Sequence, residues 1–336
     1  MGRKIIALVL CITVLASLTL TGCSTDSADG QEVKIIRVAF NQNENHPQYK
    51  AMKELGEKFE KATNGRYKMT IYANGVLGEQ GSMAEFIRTG ALDMAIVPCS
   101  VPEGYDSDFA IVGAPYLYKD MDHLRRATEA GVFTDLFKST RKYNFEVLTI
   151  YTAGERNIYA AKPINSAEDL KGMIVRVNDS TTYLNMVKYM GGTGTAMSQS
   201  EVYTALQQGT IDGQENPVAV FQSSKFDEVQ KYLTLWDGVY DTTIWVMSSA
   251  SLEKLSPEDQ EIVRICANEA LEWGNNYLAN NEAKIIEDLK ANGVEVNQLT
   301  PEQKAVFKEK SAGIYEEYRQ IVGDSVIDLF TKDYKE

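Results

Sequence analysis

Arg176 interrupts residues 173–177, an apolar and β-branched segment that is typical of a buried or half-buried strand. Its guanidinium keeps its charge at any pH that a cell reaches, so a buried one needs a carboxylate, a ring of carbonyl groups or an incoming anion. Arg156 raises the same question, because it lies between residues 151–154 and the apolar residues 158–161. Since the planar fork of arginine can hold both oxygens of a carboxylate, the pair indicates a carboxylate-binding site. The alternative is that both are strand-edge arginines in surface ion pairs.

Strand-like and helix-like patterns alternate along the chain, which is typical of an α/β protein. Strands are predicted at residues 34–40, 67–73, 92–97 and 145–151, and helices at residues 47–63, 79–89 and 121–142. Ser198 and Glu201 form a capping box at the start of a further helix. A chain of 336 residues is long enough to bury two separate cores.

The pattern beyond residue 252 is strongly helical. One predicted helix begins after Ser256 and reaches residues 292–293, with Gly274 as its interior breaker and expected kink. This helix is longer than is usual in globular proteins. Another helix is predicted from Thr300 to about Gly323.

Two ordered segments resemble a known family. Residues 162–177 read KPINSAEDLKGMIVRV, and residues 201–217 read EVYTALQQGTIDGQENP. Both are similar to the DctP-type substrate-binding proteins of tripartite ATP-independent periplasmic (TRAP) transporters. Members of that family carry P-I, then D-L-K-G, before a strand with the ligand arginine, followed by E-V-Y-x-A-L-Q and D-G-x-E-N. The likeness continues through residues 225–233 and, more weakly, over most of the chain.

The resemblance implies an α/β, two-lobed periplasmic-binding-protein-like fold, with a ligand cleft between the lobes and a long helix that spans both. Residues 33–152 and about 240–280 would form the first lobe. Residues 153–239 and about 281–336 would form the second lobe. Strands that cross between the lobes more than once would join them.

The same resemblance implies which residues hold the ligand. The arginine that pairs with the ligand carboxylate falls on Arg176, and the supporting arginine falls on Arg156. Asn216 takes the place of an asparagine that contacts the same end of the ligand. Further positions expected near the cleft are Asn41, Glu79, Gln199, Tyr240 and Asp241.

Two departures from the commoner family pattern fall where ligand identity is decided. Ala196 precedes Met197 where many relatives have proline, and residues 236–238 replace a threonine–histidine pair. The aromatic side chains of Tyr240 and Trp245 could stack on a ring or fill the core, and the sequence leaves both readings open.

The N-terminus predicts export. Arg3 and Lys4 precede the apolar residues 5–20, and this pattern is typical of a secretory signal, here residues 1–22. The ending Leu-Thr-Gly-Cys resembles a lipobox, which predicts a lipid on Cys23 and anchoring to the outer face of the cytoplasmic membrane. Residues 23–32 are small and polar, as suits a flexible tether. The alternative is an ordinary signal peptide with an incidental cysteine.

Charge and the scarcity of histidine exclude several classes of protein. The formal net charge of −13 argues against nucleic acid as a partner, because the phosphate backbone is itself negatively charged. His46 is expected to end a loop at a helix start and His123 to lie on a helix surface, so neither predicts a zinc site, and no metal, cofactor or enzymatic activity is expected. Cys99 and Cys266 are expected as free thiols, with a disulfide as the alternative.

These patterns together predict an exported, monomeric binding protein rather than an enzyme. It would capture a small organic acid and deliver it to a TRAP-type membrane permease. The polar residues Asn41, Glu79 and Gln199 favour a ligand with several hydroxyl groups, such as a uronate or an aldonate. The alternative is a lipid-anchored protein that serves an ATP-driven importer or a chemoreceptor and binds a neutral sugar or another solute.

Overall fold

The computed structural model describes residues 32–334. The predicted signal, Cys23 and all but the last residue of the predicted tether lie outside the described residues. The strands are β1 (Lys34–Ala39), β2 (Tyr67–Tyr72), β3 (Met94–Pro98), β4 (Phe145–Ala160), β5 (Ile174–Val177), β6 (Thr193–Ala196), β7 (Gly213–Pro217), β8 (Tyr232–Ser248) and β9 (Glu295–Gln298). They form one sheet in the order β2-β1-β3-β8-β4-β7-β5-β6, and β9 pairs with β8.

Helices cover this sheet and connect its strands. They are α1 (Pro47–Ala62), α2 (Gln80–Thr89), α3 (Ser100–Glu103), α4 (Met121–Glu129), α5 (Thr134–Ser139), α6 (Thr181–Tyr189), α7 (Gln199–Gln207), α8 (Val218–Ser223), α9 (Ser249–Leu252), α10 (Pro257–Ala291), α11 (Pro301–Ser311), α12 (Gly313–Val322) and α13 (Asp324–Thr331). The capping box predicted at Ser198 and Glu201 is present at the start of α7.

The long strands β4 and β8 pass through both halves of the sheet. They pair antiparallel from Phe145 opposite Ser248 to Ala160 opposite Tyr232. At one end β8 pairs with β3, and at the other end β4 pairs with β7 and β8 pairs with β9. The prediction of strands that cross between two α/β lobes is therefore confirmed, and the fold is of the two-lobed periplasmic-binding type.

Strand β4 extends well past the predicted end at residue 151. Register shifts between Thr152 and Glu155, and between Arg156 and Ile158, interrupt its pairing with β8. Such bulges bend a strand and re-aim its side chains without ending it. Arg156 therefore lies within a strand common to both lobes.

The described residues form three apolar cores. The first packs α1 and the first part of α10 against β1 and β3, and it contains Leu55, Phe59 and Trp245. A second core surrounds Tyr159 and Phe221, whose rings stack with centroids 3.8 Å apart. Trp245 therefore fills the core, which is one of the two interpretations that the sequence left open.

Helix α10 spans both lobes, as the resemblance implied. Val263 and Ala267 lie in the first core, whereas Leu289 near its other end lies in the second. The helix continues through Gly274, where a Cβ atom would lie 2.4 Å from Cε2 of Tyr151. The glycine therefore permits close packing of the helix on the sheet rather than breaking the helix. Charged residues occur along the whole of α10 and the other helices are shorter, so none of the helices within residues 32–334 is a candidate membrane span.

The C-terminal segment packs against α4 and α5, which were assigned to the first lobe. The Phe330 ring meets the Phe133 ring edge-on with centroids 5.2 Å apart. The predicted assignment of residues 281–336 to the second lobe therefore does not hold for this last part of the chain. The same packing makes the surface prediction for His123 wrong: the side chain is 0% exposed, and its Nε2 lies 2.8 Å from the carbonyl oxygen of Lys332.

The two cysteines within the described residues are Cys99 and Cys266, and both are buried free thiols, as predicted. They lie in different cores: Cys266 packs with α1 in the first core, whereas Cys99 packs with α2 and α3 in a third core, which draws residues from both lobes.

Replacing Gly274 by alanine should lower the free energy of unfolding by about 1 to 3 kcal/mol, because the new methyl group would overlap the Tyr151 ring. Urea denaturation measures the change. Gly81→Ala is the matched control, because Gly81 lies in α2 with open space around its Cβ position and should gain up to about 1 kcal/mol. Equal effects of the two substitutions would contradict this account of Gly274.

Candidate ligand-binding site

A cavity of about 460 Å³ lies between the two halves of the sheet, against β4, β5, β7 and β8. Its wall is mostly polar. Its charged residues are Arg156, Arg176 and Asp241, its amides are Asn41, Gln42, Gln48, Gln80, Asn178, Gln199 and Asn216, and its remaining residues are Phe40, His46, Ile96, Pro98, Val220 and Thr243. Lining groups of this kind suit a small molecule with several hydrogen-bonding groups.

Arg156 lines the cavity, but its guanidinium is already paired. It is 4% exposed and forms ion pairs with Glu215 on β7 and Asp241 on β8. Its Nη2 also donates to Oε1 of Glu215 at 2.9 Å and to the Glu215 carbonyl at 3.1 Å. Burial raises the pKa of Glu215, and the adjacent Arg156 opposes that shift. Two carboxylates therefore hold the Arg156 guanidinium in the wall of the cavity.

Arg176 differs because its charge has no acidic partner within ion-pair distance among the described residues. It lies on β5, is 2% exposed, and donates from Nε and Nη2 to the carbonyl oxygen of Met197 at 2.9 and 2.6 Å. Its Nη1 is buried and has no hydrogen-bond partner. Burial lowers the pKa of Arg176 to about 10, which leaves it charged at neutral pH. A fixed, buried cation with an unused donor is a site for an anion.

The other predicted residues near Arg176 fall into two groups. Asn216 and Gln199 line the same cavity, and Nε2 of Gln199 is buried without a partner. Asn41 also lines it, and its Nδ2 lies 3.5 Å from Oε2 of Glu79. Glu79 itself lines a neighbouring opening that shares Arg176 and Gln199 with the cavity. The structure therefore brings these predicted residues together around one cation.

Tyr240 is not placed to contact a ligand in this cavity. Its hydroxyl donates to Oε1 of Glu155 at 3.0 Å, and its ring packs edge-on against Tyr118. Successive side chains of a strand point to opposite faces, so Asp241 lines the cavity and Tyr240 faces away from it. Trp236 is also structural, since it is fully buried and its Nε1 donates to the Arg156 carbonyl at 2.6 Å.

Sequence reasoning missed several cavity residues, and Asn178 could have been found. It lies two positions after Arg176, and side chains two apart on an extended segment share a face. Its Oδ1 is buried and unpaired. Nε2 of Gln48 donates to the Thr243 hydroxyl at 2.9 Å, although the two residues lie 195 positions apart, so no local pattern signals the contact.

His46 is the most informative of the missed residues. It was expected only to end a loop, and it does act as the N-cap of α1, where Nδ1 accepts from the Gln48 amide at 3.2 Å. It is also 1% exposed and lines the cavity, and its Nε2 has no partner. Burial, with a smaller contribution from the charge of Lys50, lowers the pKa of His46 to about 3.

Contacts across the cleft join the two lobes at its edges. The Glu103 carboxylate accepts from the Ser180 hydroxyl at 2.9 Å and from the Thr182 amide at 3.2 Å. At another edge, the side-chain amide of Asn43 donates to the Ser223 carbonyl at 2.9 Å. Burial raises the pKa of Glu103, while the Ser180 hydroxyl opposes the shift. These contacts hold the lobes together around the cavity.

Comparison with known proteins identifies the family to which the chain belongs. The family model described as bacterial extracellular solute-binding protein, family 7 (DctP), matches residues 38–321. The chain is also 28% identical over 322 residues to the 2,3-diketo-L-gulonate-binding periplasmic protein YiaO of Escherichia coli (strain K12), covering 96% of this chain and 94% of that protein.

Solved structures agree in fold and differ in ligand. A TRAP periplasmic solute-binding protein from Pseudomonas putida F1 with bound D-glucuronate is 30% identical, with a TM-score of 0.85, and the match covers 90% of this chain and 98% of that one. Another from Sulfurospirillum deleyianum DSM 6946, with bound succinate, is 26% identical, with a TM-score of 0.85, and covers 90% of this chain and 99% of that one.

The two cavity arginines should respond differently to the same substitution in ligand-free protein. Arg156→Met should lower the free energy of unfolding by about 3 to 5 kcal/mol, because it leaves Glu215 and Asp241 buried without their cation. Arg176→Met should leave it unchanged or raise it, because it removes a buried charge that has no acidic partner. Chemical denaturation of both variants measures this, and equal destabilisation would contradict the division of roles.

Proposed function

Because the chain belongs to the bacterial extracellular solute-binding proteins of family 7, we propose that it captures a small organic acid outside the cytoplasm by pairing the acid's carboxylate with Arg176. The observation that carries this proposal is the buried, unpartnered Nη1 of Arg176. Charge-assisted hydrogen bonds between a guanidinium and a carboxylate are among the strongest that proteins make. A neutral solute would leave that charge unbalanced.

The neighbours of Arg176 favour a carboxylate over other anions of similar charge. The Met197 carbonyl fixes the guanidinium plane, and Nε2 of Gln199, which lines the same cavity, offers a second unused donor. A planar, two-oxygen anion can accept from donors of this kind together. Exclusion of water on closure would strengthen the charge pair.

The remainder of the wall favours an acid that carries hydroxyl groups. Asn41, Gln48, Asn178 and Thr243 supply amides and a hydroxyl. Relatives that are named or crystallised with 2,3-diketo-L-gulonate and D-glucuronate support a sugar acid, such as a uronate or an aldonate. The succinate-bound relative indicates that family membership alone does not choose the acid.

Binding and closure of the lobes are coupled in this proposal. The lobes would move about the bulged parts of β4 and β8, as hinged binding proteins do. An empty closed form leaves Arg176 buried and unbalanced, so an acid stabilises the closed form more than the open one. Cross-cleft bonds such as Glu103 to Ser180 would then form when ligand is present.

The proposed partners are a TRAP membrane permease and the membrane itself. The DctP resemblance supports the permease, and the Leu-Thr-Gly-Cys ending supports a lipid on Cys23 of a monomeric, anchored protein. A gene for a large multi-span permease beside the gene for this chain would support the first partner, and an ATPase gene in that place would contradict it.

Arg176→Met should weaken binding of a uronate or aldonate by at least about a hundredfold, because loss of one partner of a buried charge pair costs on the order of 2 to 5 kcal/mol. Isothermal calorimetry on protein refolded to remove bound ligand measures this. The acid is first chosen by a thermal-shift screen of uronates, aldonates, sialate and dicarboxylates, with the matching neutral sugars as controls. Retained affinity in the variant, or binding of neutral sugars alone, would overturn the proposal and favour the ATP-driven importer or chemoreceptor reading.

Cys23→Ser should abolish lipid attachment and release the protein from the membrane fraction. Labelling of cells with radioactive palmitate, followed by fractionation, measures both effects. Cys99→Ser is the matched control, because Cys99 is a buried thiol and its loss should leave the label in place. An unlabelled wild-type protein, with a mature N-terminus other than Cys23, would show an ordinary signal peptide instead.

A further inference from the structure

The imidazole of His46 has one ring nitrogen committed and one unused. Its Nδ1 accepts from the Gln48 amide at 3.2 Å, which caps the start of α1. Its Nε2 is buried in the cavity wall without a hydrogen-bond partner. The Phe40 ring packs edge-on against it, with centroids 5.5 Å apart, and holds its orientation.

The committed nitrogen determines the chemistry of the unused one. A backbone N–H can only donate, so Nδ1 must be the unprotonated nitrogen, and in a neutral imidazole the proton then lies on Nε2. Burial keeps the ring neutral by lowering its pKa to about 3. The wall therefore presents a neutral N–H donor to the cavity at all pH values near neutrality.

The charged groups around this ring are few. Lys50, one turn further along α1, donates to the Tyr277 hydroxyl at 2.7 Å and does not line the cavity. The charged residues that do line it are Arg156, Arg176 and Asp241. Glu215 and Asp241 are both paired with Arg156, so among the charged residues that line the cavity Arg176 is the one cation left to pair with a ligand carboxylate.

A second carboxylate would find no cation left to pair with. Near His46 it would meet a neutral donor, and elsewhere the wall offers amides and the carboxylate of Asp241. Burying an unpaired charge is far more costly than burying a hydrogen-bonded hydroxyl. The cavity is thus built for one carboxylate and several uncharged oxygens.

The remaining unpaired atoms fit the same ligand. Among the buried cavity atoms without partners, Arg176 Nη1, Gln199 Nε2 and His46 Nε2 are donors, and Asn178 Oδ1 is an acceptor. A hydroxyl group can accept from a donor and donate to an acceptor. A sugar acid can therefore satisfy His46 and Asn178 with hydroxyls while its carboxylate meets Arg176.

We propose that His46 is a specificity-determining residue, whose Nε2–H donates to an uncharged oxygen of the bound acid and makes the site select polyhydroxy monocarboxylates over dicarboxylates. This inference rests on the proposed function, because it takes the acid's carboxylate to lie on Arg176. It goes beyond that function because it predicts the class of acid from the charged residues that line the cavity and from the tautomer of His46.

The test measures the ligand affinities of the wild type, His46→Phe and His46→Gln. Each of two uronates is compared with the dicarboxylate that corresponds to it: D-galacturonate with galactarate, and D-glucuronate with glucarate. Wild-type protein should bind the better uronate at least about tenfold more tightly than its dicarboxylate. His46→Phe should lose about 10- to 100-fold in uronate affinity, because it leaves a ligand oxygen without its donor. His46→Gln, whose amide can donate from a similar place, should stay within about tenfold of wild type. Equal or tighter binding of the dicarboxylate, or unchanged uronate affinity in His46→Phe, would overturn the inference.

An NMR measurement on wild-type protein keeps the inference testable even if a variant does not fold. The chain has two histidines, so ¹⁵N-histidine labelling gives two imidazoles, and the His46→Gln variant assigns them. His46 should be neutral and protonated on Nε2 from pH 5 to 8, and its Nε2–H signal should shift when the uronate is added. A ring that titrates in this range, carries its proton on Nδ1 or ignores the ligand would contradict the assignment.

The outcomes separate this inference from the proposed function. If uronates bind and Arg176→Met abolishes that binding, but His46 has no effect, only the inference fails. If no acid in the panel binds, or if binding does not depend on Arg176, the proposed function fails and the inference fails with it.

Discussion

The ion pairs of Arg156 connect the three strands on which the cavity depends. Its guanidinium on β4 contacts Glu215 on β7 and Asp241 on β8, and β4 and β8 are the strands that run through both lobes. Removing three charged groups from water is costly unless each one finds its partners in the protein. Here the partners lie on neighbouring strands, and the register shifts on either side of Arg156 let its side chain reach both. These ion pairs therefore join the strands that form the wall of the cavity.

Arg176 is also a buried guanidinium, but its proposed role differs from that of Arg156. Its side chain is held by the Met197 carbonyl, and in the proposed function its charge pairs with the carboxylate of the ligand. Arg156 therefore stabilises the wall of the site, whereas Arg176 supplies the charge that is proposed to bind the ligand. Because the orientation of the second guanidinium is fixed in advance, an incoming carboxylate does not have to order it, which favours affinity. In the further inference, the neutral N–H of His46 adds a second criterion, because it favours a ligand with one carboxylate over a ligand with two.

The sequence predicted the alternation of strands and helices, the long helix and the cation on β5, because each of these depends on local pattern. It did not predict the full length of β4, since Gly154, Glu155 and Arg156 break the apolar pattern that marks its first half. The partners of Arg156 lie 59 and 85 positions away along the chain, so no local signal identified them. Tyr240 and Asp241 are neighbours in sequence, and only the register of β8 decides which of them faces the cavity. His46 gave no chemical signal, because a lone histidine before a proline is also an ordinary helix start.

The most direct test of the central claim is a crystal structure of the protein with the acid that binds it most tightly. The account predicts a carboxylate oxygen within hydrogen-bond distance of Nη1 of Arg176, with the Arg156 ion pairs unchanged. A bound acid whose carboxylate points to solvent or to the amides of the wall, with Nη1 of Arg176 still unpaired, would contradict it.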